Sequence, residues 1–145
     1  MALHRLDLAE LETAAALVHG VIAPTPQYSW PLLNERAGFE LWVKHENHTP
    51  TGAFKVRGGV VLLEALRKGP RFRGVISATR GNHGQSLAFA SARAGARCVI
   101  LVPRGNSREK NAAMRALGAE LIEHGRDFDE ARVRDRKSTR LNSSH

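Results

Sequence analysis

Two short segments hold the residues best able to do chemistry. The first reads Thr51-Gly52-Ala53-Phe54-Lys55-Val56-Arg57-Gly58-Gly59. Its lysine stands at the start of a helical pattern, the positive end of a helix dipole. That placement favours the neutral amine, the form that attacks a carbonyl carbon. The plain alternative is a solvated helix lysine. The second segment reads Ser77-Ala78-Thr79-Arg80-Gly81-Asn82-His83-Gly84-Gln85-Ser86 and lies between a strand pattern and a helix pattern. Its glycines free the backbone, and successive amide N–H groups at a helix start form an anion site for a phosphate or carboxylate. No metal is expected. His83 has no second ligand at usable spacing, and His45 and His48 read as solvated loop side chains.

The elements that must position these segments fall into two stretches. Residues 6–18 read as a helix, with Leu6, Leu8, Leu11, Ala15 and Val18 near one face and Gly20 as the stop. Pro24 and Pro26 make residues 21–26 an extended arm. A short helix over 32–37 ends at Gly38, a strand covers 39–44, and 45–52 is loop. From Ala53 to about Lys68 the period is helical, interrupted by Gly58-Gly59. Each glycine there costs about 1 kcal/mol relative to alanine, explained by close approach of another element or a ligand, or simply tolerated. A repeat follows: strand 74–78, helix 84–94, strand 98–102, helix 107–117, strand 119–122 and a helical start at 128–134. Ser107 is the expected cap of its helix. This alternation predicts an α/β fold with a parallel sheet, its apolar strands buried on both faces. Residues 136–145 carry one large apolar side chain and no period, and read as a non-native or frayed tail.

Composition narrows the classes. A chain of 145 residues, 42% hydrophobic and 25% charged, is one globular domain or part of something larger, and is not disordered throughout. The lone Cys98 lies in an apolar run, so it reads as a buried inert thiol in a reducing, cytoplasmic setting. No apolar run reaches the ~18 residues of a membrane span, and the N-terminus lacks the plan of a signal peptide. The net charge of +8 is the one hint of nucleic acid. Its arginines are scattered, with Arg136, Lys137 and Arg140 in the last ten residues, and no recognition motif accompanies them. Neither nucleic acid nor membrane is therefore expected as a partner. A non-catalytic anion- or nucleic-acid-binding module remains the alternative class, distinguished by steep salt dependence.

Taken together, the two segments resemble those of fold-type II pyridoxal-phosphate enzymes, in the group of threonine/serine dehydratases and serine racemases. Thr51–Gly58 looks like the family's Schiff-base segment, and Thr79–Gln85 is similar to its asparagine loop. Thr25-Pro26, Lys44-His45-Glu46 and residues 110–120 also match, so the resemblance covers about residues 22–134. It implies a three-layer parallel-sheet sandwich like the tryptophan synthase β-subunit, here truncated. Residues 1–52 would begin the large cofactor domain, and 53–135 would form most of the small α/β domain. By the same resemblance Lys55 binds pyridoxal 5'-phosphate covalently and takes the substrate's α-proton. Phe54 packs on the pyridine ring, and Asn82 bonds the ring hydroxyl. Thr79, Arg80, Gly81, Asn82, His83, Gly84 and Gln85 surround the substrate carboxylate.

The implied activity is an ammonia-lyase acting on a β-hydroxy amino acid such as threonine or serine, as part of a homo-oligomer. A β-replacement enzyme of the cysteine- or threonine-synthase kind is the alternative. One position departs from the racemases, which have a serine where this chain has Arg80. Guanidinium is a poor proton shuttle, so elimination is favoured over racemisation. The family's glycine-rich phosphate cup and its partner for the pyridine nitrogen have no counterpart here, so the chain alone is expected to be inactive and to bind the cofactor weakly.

Overall fold

The computed structural model describes residues 7–70 and 72–125, so the expected helix at 128–134 and the tail at 136–145 lie outside the described residues. The chain divides into two compact units, Met1–Phe54 and Lys55–His145.

In the first unit, α1 spans Leu8–His19. Asp7 and Glu10 close a capping box, the Asp7 carboxylate accepting from the Glu10 amide at 2.8 Å. Strand β1 (Gln27–Ser29) pairs antiparallel with β2 (Trp42–Lys44). Between them lies α2 (Pro31–Ala37), with proline at its first position and left-handed Gly38 at its end. The Asn34 amide joins this hairpin, donating to Ser29 Oγ and accepting from the Leu41 amide, both at 2.8 Å.

The expected strand over 39–44 is thus confined to its last three residues, and β1 was not foreseen. It is a three-residue strand held chiefly by its partner, without an apolar run of its own. A 3-10 turn at Glu46–His48 likewise replaces part of the expected loop.

The second unit runs α3 (Lys55–Arg67), β3 (Gly74–Ala78), α4 (Asn82–Ala94), β4 (Arg97–Val102), α5 (Arg108–Ala116) and β5 (Glu120–Glu123). The strands form a parallel sheet in the order β3-β4-β5, with Ile76 opposite Val99 and Ile100 opposite Leu121. Leu63, Leu87, Cys98, Ile100, Val102 and Met114 form the main core between sheet and helices. Ala78 and Leu101 form a smaller cluster with Ile76 and Ile122. Central β4 is buried along nearly its whole length. The flanking strands β3 and β5 are only half-buried, so the expectation of two covered faces holds for β4 alone.

Cys98 is buried, as expected, and burial pushes its thiol up against the smaller effect of the Ser91 hydroxyl. The two helix glycines have different explanations. A Cβ on Gly59 would strike Ser86 Oγ and lie 2.8 Å from the Ser86 carbonyl oxygen, whereas Gly58 faces open space. Close packing of α3 on α4 therefore accounts for Gly59 only. No helix among the described residues is long and apolar enough to cross a membrane.

Candidate functional site

In the first unit, the approach to Lys55 is a turn closed on itself. The Thr49 hydroxyl accepts from the Ala53 amide and donates to the Ala53 carbonyl, both at 2.9 Å. Gly52 supplies the turn's left-handed residue at φ 66°. Phe54 follows, 62% exposed. Elsewhere in this unit, Thr25 and Lys44 meet as well. Lys44 Nζ donates to the Thr25 carbonyl at 3.2 Å, and Thr25 Oγ1 donates to Glu46 at 2.7 Å.

The other candidate residues lie within the second unit. Lys55 is the first residue of α3, with an exposed side chain. Thr79 extends the β3 ladder by donating its amide to the Leu101 carbonyl at 3.0 Å, and its hydroxyl accepts weakly from the Gly81 amide at 3.4 Å. Arg80 is exposed, and its carbonyl accepts from Asn106 Nδ2 at 3.1 Å. The other Asn106 amide proton goes to Asn111 Oδ1 at 2.6 Å, so buried Asn111 holds the brace that holds the loop.

Helix α4 begins at Asn82, two residues before its expected start, which moves Asn82 and His83 from loop into the first helical turn. Two glycines in the segment read as loop. Tertiary packing overrides them, because Gly84 is buried with room for hydrogen only. A Cβ there would strike Met114 Sδ and lie 2.8 Å from Thr79 Cγ2. Gly81 is the cap residue, with the Lys110 side chain lying over it. No side chain caps α4, so the amide groups of its first turn stay available to a guest. The Gln85 amide closes the turn on the Gly81 carbonyl at 3.1 Å.

One titratable group of the segment is perturbed. His83 is half-buried, and burial, then the nearby Lys55 charge, lowers its pKa below the ordinary 6.5. The imidazole is therefore neutral at pH 7, and Lys55 lies within electrostatic reach of the first turn of α4. Among the described residues no cluster of three metal-ligating side chains occurs.

The donor set fits an aldehyde-bearing, anionic cofactor and an amino-acid carboxylate. It offers a primary amine, an exposed side-chain amide at Asn82 and an uncapped helix start. Sequence reasoning assigned no role to Ser86, Asn106 or Asn111. They are single small polar residues, and only the hydrogen bonds they make distinguish them.

A family model described as "Pyridoxal-phosphate dependent enzyme" matches residues 18–143. A biosynthetic L-threonine dehydratase of Salmonella typhimurium is 35% identical over 119 residues, covering 82% of this chain and 23% of that protein. The chain thus spans about a quarter of the length of this curated relative. A pyridoxal 5'-phosphate-dependent aspartate racemase matches in structure with a TM-score of 0.86 at 29% identity, over 99% of this chain and 45% of that one. The processed form of threonine deaminase isoform 2 from Solanum lycopersicum matches with a TM-score of 0.79 at 27% identity, over 95% and 42%.

Proposed function

The chain belongs to the pyridoxal-phosphate dependent enzyme family, and from that premise we propose that the protein carrying it is an ammonia-lyase of β-hydroxy amino acids. Its substrate class is L-threonine or L-serine, and its products are a 2-oxo acid and ammonia. The observation that carries this reading is the union of two features in one packed unit. An amine at the start of α3 and an uncapped helix start at α4 are tied through the Ser86–Lys55 hydrogen bond of 2.7 Å. The similarity to a threonine dehydratase supports the substrate class.

When bound, pyridoxal phosphate supplies an electron sink for the bond broken at the substrate's α-carbon. The chain's residues do the rest. Lys55 Nζ holds the cofactor and carries the α-proton. The Phe54 ring packs on the pyridine, and the Asn82 amide donates to the ring hydroxyl. The amides of residues 82–84, with the side chains of Thr79, Asn82 and neutral His83, fix the carboxylate so that the α-C–H bond meets the amine. Loss of the α-proton and the β-hydroxyl gives an enamine, which water converts to the 2-oxo acid and ammonia.

Arg80 stands where a racemase would need a group able to give up a proton near neutral pH, and guanidinium is not one. In this reading residues 1–52 belong to the larger cofactor domain and 53–135 to the smaller, in a cytoplasmic homo-oligomer without nucleic-acid partners.

The test is turnover by the full reading frame that carries this segment, supplied with pyridoxal phosphate and either L-threonine or L-serine. Keto acid and ammonia should form, and Lys55→Ala should lower the rate by about 10²–10⁴-fold or more. A cofactor-loaded protein that releases no keto acid from either substrate contradicts the reading. Arg80→Ser should raise the ratio of serine racemisation to pyruvate formation, measured by chiral chromatography. An unchanged ratio would make Arg80 a bystander.

A further inference from the structure

We infer that Ser86 is a positioning residue for Lys55, setting where the amine stands relative to the helix start that receives the substrate. The inference rests on the role proposed for Lys55. Ser86 is fully buried, and its Oγ donates to the Lys55 carbonyl at 2.7 Å. Gly59, four residues into α3, has no side chain because Ser86 occupies that space. Ser86 is also four residues after Asn82, one turn along α4, so the bond ties the first residue of α3 to the second turn of α4.

The Lys55 carbonyl is in addition the acceptor that helical geometry assigns to the Gly59 amide. The serine thus uses the carbonyl's second lone pair. Removing the hydroxyl leaves that carbonyl bonded within its helix, so the bond contributes more to the placement of α3's first residue than to the integrity of the helix. Asn82, His83, Ser86 and Gly59 then form a continuous path in which a shift of α4 is felt at Lys55.

The chain offers an internal competition to read this, because it has five lysines, Lys44, Lys55, Lys68, Lys110 and Lys137. The intact chain is incubated with limiting pyridoxal 5'-phosphate, reduced with borohydride, and mapped by peptide mass spectrometry. Lys55 should take most of the label. Ser86→Ala should cut the Lys55 share about fivefold, and Ser86→Thr, which keeps the hydroxyl, should restore it.

Ser91→Ala, the same deletion at another fully buried serine of α4, should leave the Lys55 share unchanged. Gly59→Ala, whose methyl displaces the Ser86 hydroxyl, should repeat the Ser86→Ala loss. Wild-type selectivity in Ser86→Ala or in Gly59→Ala overturns the inference, as does an equal loss in Ser91→Ala, which would mean that any cavity in α4 suffices. Even labelling of all lysines in the unaltered chain would instead overturn the proposed role of Lys55, and this inference with it.

Discussion

Among the described residues, the sheet of the second unit delivers the chain into a helix twice, from β3 into α4 and from β4 into α5, and the two turns are finished in opposite ways. Ser107 caps α5, its hydroxyl accepting from the Lys110 amide at 3.3 Å. Gly81 begins α4 with no side-chain cap. The third helical residue is buried Gly84 in one and exposed Lys110 in the other. A turn whose task is structural satisfies its own amides. A turn whose first amides have no side-chain cap, and whose backbone is tightly packed, leaves those amides open to a ligand in the proposed reading. The second turn also serves the first, because Asn106 from the β4–α5 connection holds the Arg80 carbonyl.

This contrast can be broken most forcefully at the third helical position. Gly84→Ala should destabilise the protein by about 1–3 kcal/mol, because the new methyl meets Met114 and Thr79 in a packed core. Lys110→Ala, at the matching place in α5, should stay within about 0.5 kcal/mol. Urea denaturation of both variants checks this, and equal effects would mean that the α4 start is no more constrained than its neighbour.

A smaller effect is expected at the cap. Ser107→Ala should cost about 1 kcal/mol of stability by thermal or chemical denaturation, since it leaves an amide of α5 without its acceptor. It should leave ligand contacts at residues 82–84 in place. Loss of both together would show that the two turns are not separable.

The finest test is protonation. His83 has a pKa below 6.5 when folded, so below pH 6.5 the unfolded chain takes up its proton first. Stability from this residue is whole above pH 6.5 and declines as pH falls from there through the lowered folded value. His83→Gln should flatten that decline. Lys55→Gln should raise the His83 midpoint seen by NMR only part of the way back, because burial is the larger cause. A midpoint at or above 6.5 in the unaltered chain would show that His83 is neither buried nor near the Lys55 charge.

Much of this was legible in the sequence, for physical reasons that differ by element. The strands β3 and β4 are short runs rich in apolar residues, β5 has the apolar pair Leu121-Ile122 before Gly125, and Ser107 announces α5 by its own chemistry. The true start of α4 was not legible, because Gly81 and Gly84 suggest loop until Met114 is seen lying where a side chain would be. Strand β1 was not legible either, since its three residues owe their conformation to β2. In the site, residue types identified Lys55 and the Thr79–Gln85 loop. The bracing by Ser86, Asn106 and Asn111 follows no period and emerges only from tertiary hydrogen bonds.

The most direct measurement is a titration of the ¹⁵N-labelled chain with L-serine, followed by amide chemical shifts. The amides of residues 82–84 are predicted to shift in a saturable way while those of 108–111 stay still. Shifts of equal size at the start of α5, or none at the start of α4 while the chain remains folded, would contradict the assignment of the open turn as the carboxylate site.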